Sequence, residues 1–200
     1  MAIRIRGILL AAGYSKRFGS NKLLQALPPG SEEAGVPMAL ASARHLLSIL
    51  PDSIVVVRPR AQKLAKLLRD AGCTTVVCKN AAEGMGTSLA AGVRATADAD
   101  GWIVALADMP FIRPETTRDV VRAVSEGAGI AAPAYHGERG HPVGFSKKFF
   151  DELAALHGDQ GARELLARHA NALVLREIDD PGVLRDIDRP SDLARAQPSA

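Results

Sequence analysis

The stretch Leu9–Leu24, LLAAGYSKRFGSNKLL, decides how the rest of the chain is read. It starts inside an apolar run, Gly7–Ala12, which stops at Gly13 and gives way to Ser15, Lys16, Arg17, Gly19, Ser20, Asn21 and Lys22. A short, nearly continuous apolar run is the pattern of a strand covered on both faces. Glycines after it permit a tight path whose N–H groups can meet phosphate oxygens, and Arg17 and Lys22 add positive charge. The two commonest phosphate loops do not fit. Five residues separate Gly13 from Gly19, and Ser20 rather than lysine follows, so this is no Walker loop; the G-x-G-x-x-G dinucleotide fingerprint is also absent. On residue chemistry alone, a solvated basic turn is the other reading.

Outward from this strand, apolar runs alternate with helical patterns. Ser53–Arg58, Thr74–Lys79, Gly101–Ala107 and Gly129–Tyr135 read as further buried strands. Met38–Leu50, Ala61–Ala71, Gly86–Thr96 and Pro114–Ser125 read as helices, the last opened by Pro114, where a missing N–H costs least. Alternation of this kind predicts an α/β fold with a mainly parallel sheet. The rhythm then loosens. Gly137–Ser146 reads as loop and strand, Lys147–Leu156 and Gln160–Ala170 as helices, and 172–177 as a strand. The tail reads as a strand, a turn at Pro190 and a short helix. Leu27–Pro37 is the most loop-like segment, and no linker interrupts the chain, so one domain over 1–200 is predicted.

Composition narrows the function classes. Only 4% of residues are aromatic, which argues against stacking platforms for single-stranded nucleic acid. The net charge of +3 comes from dispersed Lys and Arg, which suits a small anionic ligand better than a duplex. Cys73 and Cys78 make no disulfide framework, no signal peptide is recognisable, and no apolar run is long enough for a membrane span. A reducing cytoplasm, with no nucleic-acid or membrane partner, is the expectation.

In an open α/β sheet, ligands bind beyond the carboxyl ends of the strands, so the residues just after each strand carry the chemistry. After the third strand, Asn80 precedes a loop with Gly84 and Gly86, and Thr87 and Ser88 begin a helix whose free N–H groups could meet an anion or a base edge; a plain capped turn is the alternative. After the fourth strand, Asp108 ends a seven-residue apolar run, Gly101–Ala107. A carboxylate there is a standard holder of Mg²⁺ shared with substrate phosphates; a helix cap is the alternative. Asp186 and Asp188 alternate in DIDRPSDL, so on a strand both would share one face, and one could join Asp108 at the metal or cap the last helix. His141 stands alone between Gly140 and Pro142, which makes zinc ligation a poor reading. In GDQGAR, Asp159 reads as a helix cap, and Arg163 could face an anion or solvent.

Taken together, these segments resemble the nucleotidyltransferases that make dinucleotide forms of the molybdenum cofactor. The family signature L-A-[AG]-G-x-[SG]-x-R-[FM]-G-x-x-K is matched in register by Leu10, Ala11, Ala12, Gly13, Ser15, Arg17, Phe18, Gly19 and Lys22. GMGTSL, LADMP, GHPVGF with GDQGAR, and DIDRPSDL look like the cytidylyltransferase branch and extend the likeness over nearly the whole chain. The Leu27–Pro37 connection is longer than the family's short F-x-G-x-P link.

The resemblance implies a three-layer Rossmann-like fold and Mg²⁺-dependent nucleotidyl transfer from CTP to molybdopterin. It places the Leu10, Ala11, Ala12 and Gly13 backbone and Lys22 on the triphosphate, with Arg17 near its phosphates. Asn80, Gly84 and Ser88 would lie near the nucleoside, Asp108 and Asp188 would hold the metal, and His141 and Arg163 would face the pterin. Ala12, where the guanylyl branch usually has glycine, would narrow the base pocket against a purine. A recipient molybdoenzyme or its chaperone would be a partner. The rivals are a guanylyltransferase, a cytidylyltransferase acting on a sugar or polyol phosphate, and a non-catalytic nucleotide-binding module; a dehydrogenase fits poorly because its fingerprint is missing.

Overall fold

The computed structural model describes residues 3–14, 18 and 21–194. Strand β1 (Ile5–Ala11) lies at the centre of an eight-stranded sheet. Three more strands run parallel in its half: β2 (Ile54–Val57), β3 (Thr74–Val77) and β4 (Gly101–Leu106), in the order β3-β2-β1-β4. Beyond β4 comes β7 (Val143–Ser146), antiparallel to both β4 and β5 (Ile130–Tyr135). The short β6 (Glu138–Arg139) pairs antiparallel with β5, and β8 (Leu173–Glu177) pairs parallel with it. The predicted α/β class and mainly parallel sheet are borne out.

Two apolar clusters sandwich the sheet. On one face pack α1 (Met38–Ile49), α2 (Gln62–Asp70) and α4 (Pro114–Ser125), through Met38, Leu64, Leu68 and Val120. On the other pack α3 (Met85–Ala95), α5 (Phe150–Ala154) and α6 (Arg163–Arg168), through Leu89, Val93, Leu153 and Leu165. All four β2 residues, Ile-Val-Val-Val, are buried because helices cover both sides. The short α7 (Pro190–Ala194) follows at the end of the described chain.

Three expectations need correction. Thr74–Lys79 was expected to be a strand buried on both faces, but β3 spans Thr74–Val77 at the edge of the sheet and Val77 is 54% exposed; apolar character does not reveal whether a strand has one neighbour or two. The helix expected over 160–170 spans only Arg163–Arg168, since Gly158 (φ +69°) and Gly161 (φ +56°) hold the preceding turn in the left-handed region. Asp159 therefore lies in that turn and is not the helix cap. The tail forms no strand. Asp180 accepts from the Gly182 N–H and Pro181 opens a 3₁₀ turn, Pro181–Leu184, after which residues 185–188 have no ladder partner. At the start of α7 the Asp192 side chain accepts from the Asp188 and Arg189 N–H groups.

That turn is pinned on two sides. A Cβ on Gly182 would stand 2.1 Å from the Phe111 carbonyl, and one on Gly140 would stand 2.4 Å from the Val183 carbonyl. The His141 N–H donates to that Val183 carbonyl at 3.0 Å, and the Ile187 N–H to the Asp108 carbonyl at 3.0 Å. LADMPF, GHP and DID, distant in sequence, thus meet around one turn, and the turn delivers Asp188 to the end of β4.

Candidate active site

β1 and β4 are parallel neighbours, so their carboxyl ends open on the same edge of the sheet. Beyond that edge lies a cavity of about 530 Å³. The β1 end contributes Leu10, Ala12, Gly13 and Tyr14; Ala11 points the other way, into the core, as period-two alternation requires. The segment after β3 contributes Ala81, Ala82, Gly84, Met85 and Ser88. Leu106 and Asp108 line the β4 side, and Lys22, Leu23, Asp159 and Asp188 complete the wall.

The charged floor is a three-residue cluster. Lys22 opens a 3₁₀ turn, Lys22–Leu24, and is only 8% exposed. Its Nζ donates to Asp108 Oδ2 at 2.8 Å, Asp188 Oδ1 at 2.9 Å and the Ile187 carbonyl at 2.8 Å. Burial pushes the Lys22 ammonium down, but the charges and hydrogen bonds of Asp108 and Asp188 outweigh it, and the net displacement is upward. Lys22 therefore stays protonated throughout the neutral range. Asp186 is largely exposed beside buried Ile187; partial desolvation of its carboxyl, then the charges of Asp188 and Asp108, push it upward. Asp188, not Asp186, is the tail carboxylate that reaches Lys22.

The donor set suits a hard cation. Two carboxylates converge within 3 Å of one nitrogen, and no group of three or more His, Cys, Asp or Glu placed to hold a metal occurs among the described residues. A pair of carboxylates leaving room for water and phosphate oxygens is how Mg²⁺ is usually held, whereas a structural zinc site needs four closed ligands.

A family model for the MobA-like NTP transferase domain matches residues 7–173. The chain belongs to this family. Among curated proteins, purine catabolism protein PucB of Bacillus subtilis (strain 168) is 33% identical over 196 residues, covering 93% of this chain and 92% of PucB. Among solved structures, Rv0371c of Mycobacterium tuberculosis H37Rv superposes with a TM-score of 0.81 at 28% identity, over 98% of this chain and 97% of that one. A manganese complex of Rv0371c also matches, with a TM-score of 0.74 at 28% identity, over 98% of this chain and 100% of that one.

In this MobA-like domain the residues singled out from the sequence divide. Leu10, Ala12, Gly13, Lys22, Gly84, Ser88, Asp108 and Asp188 come together around the cavity. Asn80 stands exposed in the turn beside Ala81, outside the lining. Arg163 is exposed on the first turn of α6, also outside it. Arg17 lies outside the described residues. Tyr14, Ala82, Met85, Leu106 and Asp159 line the cavity without having been singled out for it. Tyr14 is held by Arg58, whose guanidinium lies 4.9 Å from its ring centroid and donates to the Gly13 carbonyl at 2.5 Å. Asp159 arrives on the 157–161 turn, which packs so closely on α3 that a Cβ on Gly84 would stand 2.4 Å from its Oδ1. The Gly86 N–H at the start of α3 donates to the Gly158 carbonyl at 2.8 Å.

His141 does not line the cavity. Its Nδ1 is buried without a hydrogen-bond partner. Burial, reinforced by Arg139, drives the imidazole down to about 4 against the opposing pull of Asp108 and the Val104 carbonyl. The folded protein thus holds His141 neutral while the unfolded chain takes up its proton near pH 6.5. The contribution is complete above that pH and is lost as pH falls toward 4, amounting to about 3 kcal/mol. Urea titrations should show wild type losing about 3 kcal/mol more between pH 6.5 and 4 than His141→Asn, which cannot titrate. Parallel curves would contradict this.

Proposed function

We propose that this chain transfers CMP from CTP to the terminal phosphate of molybdopterin and releases pyrophosphate, acting in the cytoplasm as one domain over residues 1–200. The observation that carries the reading is the Lys22–Asp108–Asp188 cluster on the wall of a cavity that β1 and the start of α3 enclose. The base would sit between Ala12 and the Gly84–Ser88 segment. Ala12, where the guanylyl branch usually has glycine, lines the cavity, which supports a pyrimidine over a purine. Gly13 and the neighbouring backbone would meet the triphosphate, Arg17 would join them, Asn80 would flank the nucleoside, and His141 and Arg163 would belong to the pterin side. The product would pass to a molybdoenzyme or its chaperone.

Asp108 and Asp188 would hold Mg²⁺, and the manganese complex of Rv0371c supports a divalent cation. When bound, it supplies positive charge to the triphosphate oxygens. The acceptor phosphate oxygen attacks the α-phosphorus of CTP, a new P–O bond forms, the bond to the β-phosphate breaks, and its electron pair leaves on pyrophosphate. No general base is required, because a phosphate monoester is already largely ionised near neutral pH. The protein's task is positioning and neutralising charge. The deciding assay is pyrophosphate release with molybdopterin across CTP, GTP and ATP. CTP should be turned over at least ~10-fold faster than GTP, the scale that steric exclusion in one pocket supplies. Preference for GTP would overturn the base assignment, and release with none of the three would overturn the reaction.

A further inference from the structure

Lys22 is bound more completely than a residue waiting for phosphate needs to be. An ammonium has three protons, and here three acceptors surround it: Asp108 Oδ2, Asp188 Oδ1 and the Ile187 carbonyl, all at 2.8–2.9 Å. The partners come from the end of β4 and from the tail, so one cation joins two segments that share no ladder. Without it, two carboxylates within 3 Å of one point would face each other with like charge. A divalent cation bridging the same pair would meet a fixed positive charge beside it and compete for the same oxygens.

We infer that Lys22 is a resident counter-charge that occupies the Asp108–Asp188 pair and, by its own charge, holds off a bare divalent cation until nucleotide binds. The inference rests on the proposal that this pair holds the metal. Triphosphate oxygens then draw Lys22 and the metal apart, since both find partners on the phosphates. Ordered entry follows, with the metal arriving together with the nucleotide.

The test is Mn²⁺ binding followed by electron paramagnetic resonance in nucleotide-free protein. Lys22→Met, neutral and of similar length, should bind Mn²⁺ at least ~10-fold tighter than wild type, as expected when a like charge within a few ångströms is removed. Adding CTP should tighten wild-type binding and shrink the gap. Lys22→Gln gives the same comparison while keeping a hydrogen-bond donor near the carboxylates, should the methionine variant fold poorly. Equal or weaker Mn²⁺ affinity in the folded neutral variants would overturn the inference. So would tight Mn²⁺ binding by wild type without nucleotide. Because the measurement needs no turnover, it stands apart from the CTP assay: absence of CTP turnover defeats the proposed reaction and leaves the Lys22 comparison readable.

Discussion

Asp108→Ala is expected to lower nucleotidyl transfer on the order of 10³-fold or more while leaving the fold intact, because charge stabilisation at the transferring phosphate is the largest contribution the protein makes. The geometry explains why the fold should survive. Asp108 is at the rim of the sheet, its side chain is 24% exposed, and among the described residues its carboxylate is bound by Lys22, which keeps Asp188 and the Ile187 carbonyl. The carbonyl of residue 108 still receives the Ile187 N–H, so the tail remains attached. The measurement is pyrophosphate release under saturating CTP and acceptor, with the thermal midpoint recorded in parallel. Activity within ~10-fold of wild type would remove Asp108 from the machinery.

Asp180→Ala is expected to act in the opposite way, costing about 3–5 kcal/mol of stability with no contact to substrate. The Asp180 carboxylate is 1% exposed and accepts from the Arg113 N–H at 2.9 Å, the Thr116 hydroxyl at 2.6 Å and the Gly182 N–H at 2.9 Å. Alanine leaves the Thr116 hydroxyl and the Gly182 N–H buried without their partner and removes the acceptor of the part-buried Arg113 N–H. The loss also frees the turn that carries Ile187 and Asp188, so nucleotide affinity should fall together with stability. For a chain of this size the midpoint should drop by roughly 10 °C. Asp180→Asn, which keeps an oxygen for some of these donors, should fall between the two. A midpoint unchanged by alanine would show that the turn is held mainly by Gly182 and Gly140 packing.

Much of the frame was legible because its signals are local. α4 begins and ends at Pro114 and Ser125 as read, since a proline at the first helical position and an apolar stripe are both visible in the chain. β1, β2 and β4 were legible as apolar runs. The edge position of β3 was not, because the number of neighbours a strand has is a property of the sheet. The late start of α6 depended on two glycines adopting positive φ, and the missing tail strand on a carboxylate capping its own turn.

The site was legible as a set of residues and not as a set of contacts. Lys22, Asp108 and Asp188 were each singled out, but their bonds span 86 and 166 residues, and a lysine in a basic loop reads as facing phosphate. Asp159 read as a helix cap because an aspartate before a helix usually is one; only the packing of its turn against Gly84 brings it to the cavity. An alternating Asp-x-Asp could not say which carboxylate reaches the site; the bond from Lys22 Nζ to Asp188 Oδ1 decides it.

The nucleotide and the metal are expected to meet in this one cavity. A crystal of the protein soaked with a non-hydrolysable CTP analogue and Mn²⁺ tests this in one anomalous difference map. The predicted result is a single manganese peak in contact with Asp108 and Asp188 and with the triphosphate, the cytosine packed against Ala12, and Lys22 turned from at least one carboxylate toward phosphate. Manganese bound away from both carboxylates, or nucleotide density outside the Ala12–Ser88 cavity, would contradict it.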